Sequence, residues 1–362
     1  MRSRLRRSLA DVYDVFEKKY RAYEYLGKAR KRLKRVNGGA DCRAEYEKTV
    51  IPYWKKYSVK PKLLWYRLYA ENSGVVDPRY IPDDIWFEYV LPYYSNQRFR
   101  RFGEDKCLHG IWFPDVKRPV TVAAQIAGVY YDADYNIITK EEAAERCASY
   151  GRFLIKPSVD TGEGVRIRFY DGLTVTPEDM LREFDAFGCN FIAQEIIKQH
   201  PALSALNPTS LNTIRIISFL FENEVHILSS ILRVGGDGSR VDNVGAGGYA
   251  CAVMEDGRLG TTAINRRSER CETNAGGVRF DSVVIPAYKD ALDMVKRLHT
   301  KLAHFKIIGW DIGINESAEP VMIEFNTAPG QNQFCCGPTF GELTEKVLRD
   351  VFIDKTLQNS KN

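Results

Sequence analysis

Three oxygen-bearing side chains near residue 320 have the types and the spacing of a magnesium site. Glu324 and Asn326 stand two residues apart in an apolar run, so on a strand they project from one face while Phe325 packs behind them. Asp311 ends the preceding apolar run and joins them if the two runs pair as strands. Two carboxylates and an amide oxygen suit Mg²⁺, or Mn²⁺, bridging the phosphates of a nucleotide. A plain hairpin with acidic residues at its solvated end explains this segment equally well.

The composition is that of an ordinary globular chain and argues against several classes of protein. The 362 residues are enough for two or three subdomains, and 44% of them are hydrophobic. The eight cysteines include no CxxC pair, which argues against a zinc cluster and a disulfide framework and indicates reduced, cytoplasmic thiols. Residues 1–35 carry a charge of +9 in a chain of net charge +5, so the body is mildly acidic. An acidic body argues against a nucleic-acid partner.

The pattern along the chain predicts an α+β fold in which a helical, aromatic-rich N-terminal region precedes two α+β subdomains. From residue 119 onward, runs with a period of two alternate with amphipathic runs that indicate helices. The four predicted parts are a basic N-terminal helix (1–40), a region that precedes the subdomains (41–118), the first subdomain (119–196) and the second subdomain (197–362).

Capping and turn residues place several element boundaries. Helices are expected to begin after Thr139 and after Thr176, and an amphipathic helix is expected at 286–304. Strands are expected at 153–156, 165–170, 190–197, 213–221, 225–234 and 248–254.

The basic N-terminal segment predicts a long helix, Ser8 to Leu33. Its predicted apolar face consists of Val12, Val15, Phe16, Tyr20, Tyr23 and Leu26. Such a helix either lies on an anionic membrane surface, at the inner face of the membrane, or docks through this face on the aromatic region of its own chain.

Other residues are candidates for nucleotide binding. Lys156 ends a predicted strand and precedes a loop that contains Gly162 and Gly164, where backbone N–H groups and the ammonium can meet phosphates. Lys106 is a second candidate for the phosphates, and the strand end 194–197 can offer backbone groups and a carboxylate to an adenine. Taken singly, each feature also has an ordinary explanation. The Lys156 loop could belong to an ordinary hairpin, Lys106 could be a surface lysine, and residues 194–197 could be a plain strand end.

Candidate substrate contacts follow the nucleotide motifs. Arg233 is expected to meet a carboxylate, Asp242 an amine or a hydroxyl, and Asn243 lies beside them in a glycine-rich stretch. The turn residues of a glycine-rich hairpin would give the same pattern.

In this order and together, the motifs resemble the ATP-grasp superfamily from about Lys106 to Gly330. The segments FLIKPS, HPALSALNPTSLNTIRI, VDNVGAGG, IGWDIGI and IEFNTAPG are most similar to its sugar-transfer-associated family. The resemblance implies that ATP lies between the two subdomains and that the loop 160–164 closes over its phosphates. One departure is that this loop reads Thr-Gly-Glu-Gly rather than a fuller glycine run.

The resemblance also implies roles for individual residues. Arg215 and Lys156 would be catalytic, with Arg215 stabilising the transferring phosphoryl group, and Asp311, Glu324 and Asn326 would carry Mg²⁺. The residues implied at the nucleotide are Lys106, Lys156, Ser158, Thr161, Gly162, Glu163, Gly164, Gln194, Glu195, Ile196, Ile197, Lys198 and His200, with Lys198 or His200 at the ribose.

The implied activity is an ATP-dependent ligation. The γ-phosphoryl group of ATP would activate a carboxylate as an acyl phosphate, and an amine, or less often another nucleophile, would displace phosphate. The implied substrates are small or sugar-linked carboxylates and amines of surface-polysaccharide assembly. The alternatives are a kinase of a small substrate with the same fold and a non-catalytic nucleotide-binding scaffold, and the oligomeric state stays open.

Overall fold

The computed structural model describes residues 2–354, except residues 97–98, 160–165, 237, 243 and 245–246, and leaves out the side chains of residues 2–14, 17–18 and 101–102. Two antiparallel β-sheets carry helices on their faces and are preceded by a helical region rich in aromatic residues. The predicted α+β class and the predicted N-terminal region are therefore confirmed. None of the helices in this part of the chain combines the length and the apolar character that crossing a bilayer requires.

The longer helices are labelled here in chain order. They are α1 (Arg2–Arg35), α2 (Leu63–Ser73), α3 (Lys140–Ser149), α4 (Pro177–Phe187) and α5 (Tyr288–His299). Shorter helical segments lie at 43–55, 83–94, Arg100–Gly103, Lys106–Leu108, His109–Trp112, Gly172–Thr174, Pro201–Ser204, Phe280–Ser282, Thr300–Leu302, Gln333–Cys336 and 341–354.

The first sheet has six strands in the described residues. They are β1 (Thr121–Ile126), β2 (Val129–Tyr131), β3 (Ile137–Ile138), β4 (Arg152–Pro157), β5 (Arg168–Asp171) and β6 (Phe191–Glu195). Their order is β3–β2–β1–β6–β4–β5, and each neighbouring pair is antiparallel. Helices α3 and α4 pack on this sheet through a buried apolar cluster that includes Ala143, Cys147, Phe153, Phe184 and Phe191.

Both helices on the first sheet begin where the sequence predicts. The Thr139 hydroxyl accepts a hydrogen bond from the backbone N–H of Glu142 at 3.0 Å, and the Glu142 carboxylate accepts one from the N–H of Thr139 at 2.7 Å. Thr176 and Asp179 form the same reciprocal pair at the start of α4. Each pair satisfies backbone donors that the first helical turn would otherwise leave unpaired.

The second sheet has seven strands in the same part of the chain. They are β7 (Ile214–Phe221), β8 (Glu224–Val234), β9 (Tyr249–Val253), β10 (Leu259–Asn265), β11 (Arg270–Cys271), β12 (Ile307–Ile314) and β13 (Pro320–Asn326). Their order is β11–β10–β9–β8–β7–β12–β13, with antiparallel pairing throughout. Every residue of β12 is buried, because α5 packs on one face through Ala291, Val295 and Leu298.

Helix α1 docks on the aromatic N-terminal region, but not through the predicted face. Val15, Phe16, Tyr20 and Tyr23 are each more than half exposed, and the side chain of Val12 lies outside the description. The buried side is made instead by Ala22 and Ala29, with the Tyr25 ring stacked on Phe87 at 4.1 Å. Because alanine side chains are small, they let the helix approach segment 83–94 closely. The prediction took the largest apolar residues as the buried face and was therefore wrong.

Several element boundaries shift by a few residues from their predicted positions. The strand predicted at 165–170 is the short β5, and residue 165 lies outside the description. The strand predicted at 190–197 ends at Glu195, and the helix predicted at 286–304 is α5 followed by a turn of 3₁₀ helix at Thr300–Leu302. The three predicted boundaries between the four parts stay a prediction.

Candidate active site

The hairpin of β12 and β13 places the predicted metal ligands side by side. Asp311 stands opposite Glu324 in the register, and Asn326 stands opposite Gly309. Asp311 also stands opposite Arg215 on β7, so Arg215, Asp311 and Glu324 form a row across three neighbouring strands. Directly opposite residues of an antiparallel sheet share a face, which confirms that the hairpin gathers these side chains.

Asp311 is the most buried carboxylate of this row and is held by two arginines. It is 1% exposed, and its oxygens accept hydrogen bonds from Arg215 Nε at 2.5 Å and Arg215 Nη2 at 2.9 Å. Arg233 Nη2 lies 3.0 Å from Asp311 Oδ2. A two-pronged pair of this kind fixes the guanidinium in place as well as neutralising the acid.

Glu324 faces a group of cations. Lys106 Nζ lies 3.3 Å from Glu324 Oε2. Burial alone would raise the pKa of the Glu324 carboxyl, but the charges of Lys106, Lys156 and the neighbouring arginines outweigh it and hold the pKa at about 2. Glu324 is therefore an anion throughout the physiological range.

Lys156 is a buried cation near the end of β4. It is 8% exposed, and its ammonium makes no ion pair or hydrogen bond with any residue that the structure describes. Burial lowers the pKa of its ammonium from 10.5 to about 8; the charge of Lys106 adds to this change and that of Glu324 opposes it. An ammonium without a protein partner can meet an anionic ligand without first breaking another contact.

One cavity of about 960 Å³ joins strands of both sheets at this point. Its charged and polar lining includes Lys106, Lys156, Arg215, Arg233, Asp242, Asp311, Glu324 and Asn326. This volume suits a nucleotide-sized ligand.

The lining of the cavity also includes the predicted adenine residues and several apolar side chains. Gln194, Glu195, Ile196 and Ile197 all line it, as do Leu154, Phe169 and Ile323. Gln194 is 5% exposed, and its buried Oε1 has no hydrogen-bond partner in the described part of the chain. An unpaired buried acceptor between apolar side chains is a fitting contact for an exocyclic amine.

Of the remaining predicted nucleotide-binding residues, some line the cavity and others do not. Ser158 is fully buried, and its Oγ lacks a partner among the described residues. Lys198 lines the cavity and pairs with Glu316, whereas His200 is not among the lining residues and accepts a hydrogen bond from the N–H of Ala202. Thr161, Gly162, Glu163 and Gly164 lie outside the described residues.

The predicted substrate residues lie at the cavity wall and contact one another. Arg233 Nε lies 3.5 Å from Asp242 Oδ2, and the same oxygen accepts hydrogen bonds from the backbone N–H and the hydroxyl of Thr213. Burial raises the pKa of the Asp242 carboxyl, and the charge of Arg233 works against that rise. Asn243 lies outside the described residues.

Comparison with known sequences identifies the family. The sequence model of the sugar-transfer associated ATP-grasp family matches residues 87–336, which is more than half of the 362 residues. The chain belongs to this family. The ATP-grasp fold predicted from the sequence is thereby confirmed, and the two sheets that flank the cavity are its two α+β halves. No curated protein matches the chain.

Several solved ATP-grasp structures are similar to the chain at low identity. The D-cycloserine synthetase DcsG matches with a TM-score of 0.42 and 13% identity over 68% of this chain and 71% of its own. The ATP-grasp ligase PsnB matches with a TM-score of 0.39 and 14% identity over 70% of this chain and 63% of its own. D-alanyl-alanine synthetase A from Vibrio cholerae O1 matches with a TM-score of 0.39 and 11% identity, over 71% of this chain and 65% of its own. The chain thus spans less than two thirds of the latter two proteins, and the family rests on the sequence match alone.

ATP-grasp enzymes use Mg²⁺, and the donor set fits that ion. The proposed donors are two carboxylates and one amide, those of Asp311, Glu324 and Asn326. No group of three or more His, Cys, Asp or Glu side chains that could hold a metal occurs among the described residues. Mg²⁺ needs only one or two carboxylates when phosphate oxygens complete its shell. A carboxylate offers about four lone-pair positions, and the arginines use three of those on Asp311. Asn326 Nδ2 is buried without a described partner, which leaves the amide free to turn its oxygen to a metal.

Sequence reasoning missed several lining residues of the ATP-grasp cavity. Leu154 lies two residues before Lys156 on β4, so strand periodicity could have found it. Ile323 could not be found that way, because the register shifts between Asp311 and Ile312 and leaves Ile323 bulged beside Glu324. Arg240, stacked 4.4 Å from the Phe169 ring, carries no local signal at all.

Proposed function

We propose that this protein is an ATP- and Mg²⁺-dependent ligase that joins a carboxylate to an amine, or to a related nucleophile, through an acyl phosphate and releases ADP. The observation that carries the proposal is the single cavity in which four cationic side chains face two carboxylates and an amide. The cations are Lys106, Lys156, Arg215 and Arg233, and the oxygen donors are Asp311, Glu324 and Asn326. Family membership supports the same reading, since the family is an ATP-grasp family.

The phosphates of ATP would meet the two lysines. Lys156 has no described protein partner, and Lys106 is anchored next to it because its backbone N–H donates to the carbonyl of Ser158 at 3.0 Å. The adenine would lie near Leu154 and Phe169, with Gln194 and Ile196, just after the end of β6, beside its edge. This orientation directs the γ-phosphate toward the row of Arg215, Asp311 and Glu324.

Asp311, Glu324 and Asn326 would hold Mg²⁺, which when bound neutralises charge on the phosphate oxygens. Arg215 is held by Asp311 before any ligand arrives, so its guanidinium needs little reorganisation to stabilise the transferring phosphoryl group. This pre-organisation supports a catalytic role for Arg215 rather than a purely structural one.

The proposed reaction has two steps. A carboxylate oxygen of the substrate forms a bond to the γ-phosphorus while the bond to the bridging oxygen breaks and ADP leaves. The amine nitrogen then forms a bond to the acyl carbon, phosphate leaves with the bonding electron pair, and the amine proton passes to solvent or to phosphate. Exclusion of water from the cavity once the substrates are bound would protect the acyl phosphate between the two steps.

The substrate would lie against Arg233 and Asp242. Arg233 keeps both its acidic partners and still lines the cavity, so it can share its charge with a substrate carboxylate. The described contacts of Asp242 all engage Oδ2, which leaves Oδ1 for an amine or a hydroxyl. We propose a sugar or an amino acid of surface-polysaccharide assembly as the substrate class, and the description of the family as sugar-transfer associated supports the sugar.

Trapping with hydroxylamine tests the proposal. The protein is incubated with ATP, Mg²⁺ and one of a series of amino acids or uronic acids, and ADP, phosphate and hydroxamate are measured. We expect at least one acid to yield the three products in equal amounts, because hydroxylamine intercepts the acyl phosphate. ADP release with phosphorylated substrate and no free phosphate would indicate a kinase, and ATP binding with no turnover on any acid would indicate a scaffold.

A further inference from the structure

A second cavity lies on the N-terminal side of the fold. Its volume is about 990 Å³, and it is enclosed by α1, α2 and the β9–β10 strand pair. It shares no lining residue with the ATP cavity. A ligand here would therefore occupy a site of its own.

The lining of the second cavity is strongly cationic. The basic residues are Lys28, Lys31, Arg32, Arg35, Arg266 and Arg267, and the acidic ones are Asp83 and Glu269. Both acids already have partners: Gln331 Nε2 donates to Asp83 at 2.9 Å, and Asn265 Nδ2 donates to Glu269 at 2.6 Å. Six basic side chains against two acidic ones still leave the lining with a formal net charge of +4.

Half of the cations have no counterpart in the part of the chain that the structure describes. The side chains of Lys31, Arg35 and Arg267 form no hydrogen bond or ion pair with any residue within the described ranges. They come from α1 and from the turn after β10, which are far apart in sequence and converge only in the fold. Uncompensated cations that converge on a cavity favour an anion with several charged oxygens.

One wall of the cavity is aromatic. Trp65 is 2% exposed and lines the cavity, as does Phe334. The Arg32 guanidinium lies 3.8 Å above the Phe334 ring. This wall therefore brings a cation, Arg32, close to the cavity.

We propose that this second cavity binds an organic phosphate whose phosphate groups meet Lys31, Arg35 and Arg267. Arginine forks match phosphate oxygens, and a cavity of this volume holds a sugar phosphate or a larger molecule of that class. The site goes beyond the ligase reaction and does not depend on it.

Calorimetry with glucose 1-phosphate and with inorganic pyrophosphate tests the site. The variant Lys31→Ala/Arg35→Ala removes two lining cations, and Arg30→Ala/Lys34→Ala removes the same charge from the same helix outside the cavity. We expect the first pair to weaken both probes at least tenfold and the control pair less than twofold.

Four outcomes overturn the proposal. Equal weakening by the two double variants shows general charge attraction, and weakening of the probes by Lys156→Ala shows that they bind in the ATP cavity instead. No measurable binding of either probe by the full chain also rejects the site. A parallel titration with phosphatidylcholine vesicles containing phosphatidylglycerol distinguishes the source of the phosphate: loss of vesicle binding alone in Lys31→Ala/Arg35→Ala indicates a membrane surface and rejects a soluble organic phosphate.

Discussion

Replacing Lys156 with methionine should stabilise the ligand-free protein while it impairs nucleotide binding. Lys156 is buried and has no described partner, so the fold carries the cost of desolvating its charge. Methionine has a similar length, fills the same space and carries no charge. Such an exchange of stability for function is expected where a residue serves a ligand rather than the fold.

The magnitude follows from the pKa of the Lys156 ammonium, which burial lowers from 10.5 to about 8. At about 1.4 kcal/mol for each tenfold change in proton affinity, this difference corresponds to about 3 kcal/mol. The sign is fixed because the folded protein binds this proton less tightly than the unfolded chain does. The cost is therefore fully present below pH 8 and disappears as the pH rises toward 10.5. The free energy of unfolding of Lys156→Met should therefore exceed that of wild type by up to about 3 kcal/mol at pH 7.

Urea unfolding of both proteins at pH 7 and at pH 10 measures this difference. We expect Lys156→Met to unfold at a higher urea concentration than wild type at pH 7, and the difference between the two midpoints to be smaller at pH 10. Lys198→Met is the matched control, because Lys198 is 80% exposed and its replacement should change stability by less than about 0.5 kcal/mol. A Lys156→Met protein that is less stable than wild type at pH 7, or that gains equally at both pH values, would refute the reasoning.

Three further predictions concern other parts of the molecule. Glu324→Gln should reduce turnover at least about 100-fold, because it removes a ligand charge for Mg²⁺; normal ADP release at limiting Mg²⁺ would contradict the metal assignment. Burial lowers the pKa of His299 from 6.5 to about 4. Because the unfolded chain then binds this proton more tightly, the free energy of unfolding of wild type should fall by about 3 kcal/mol between pH 6.5 and pH 4. Urea titrations of His299→Gln should not show that loss. Deleting residues 1–35 should give an unstable protein. The variant Phe16→Ser should keep the thermal unfolding midpoint of wild type but bind anionic vesicles more weakly. Unchanged vesicle binding of Phe16→Ser would argue against a membrane role for this helix.

The metal hairpin could be predicted from sequence because its information is local. The two apolar runs and the short turn fix which residues pair, and alternation then places Glu324 and Asn326 on one face. The bulge at Ile323 breaks that alternation by one residue, and neither its position nor its effect is visible in the sequence. Local pattern thus locates the ligands but not the shape of the surrounding wall.

Contacts between distant segments were beyond sequence reasoning for a different reason. Arg233 and Asp311 are 78 positions apart, and only the order of the strands brings them within 3.0 Å. The buried face of α1 depends on which segment packs against it, so Ala29 is buried while Phe16 is exposed. The cationic second cavity likewise forms from α1 and the turn after β10, which only the fold unites.

The central claim, that the cavity at Lys156 binds the phosphates of ATP, is tested most directly by calorimetry. ATP and adenosine are each titrated into wild type and into Lys156→Ala in the presence of Mg²⁺. Because the ammonium meets phosphate and not base, we expect Lys156→Ala to weaken ATP binding at least tenfold and to leave adenosine binding unchanged. Equal weakening of both ligands, or unchanged binding of ATP, would contradict the account.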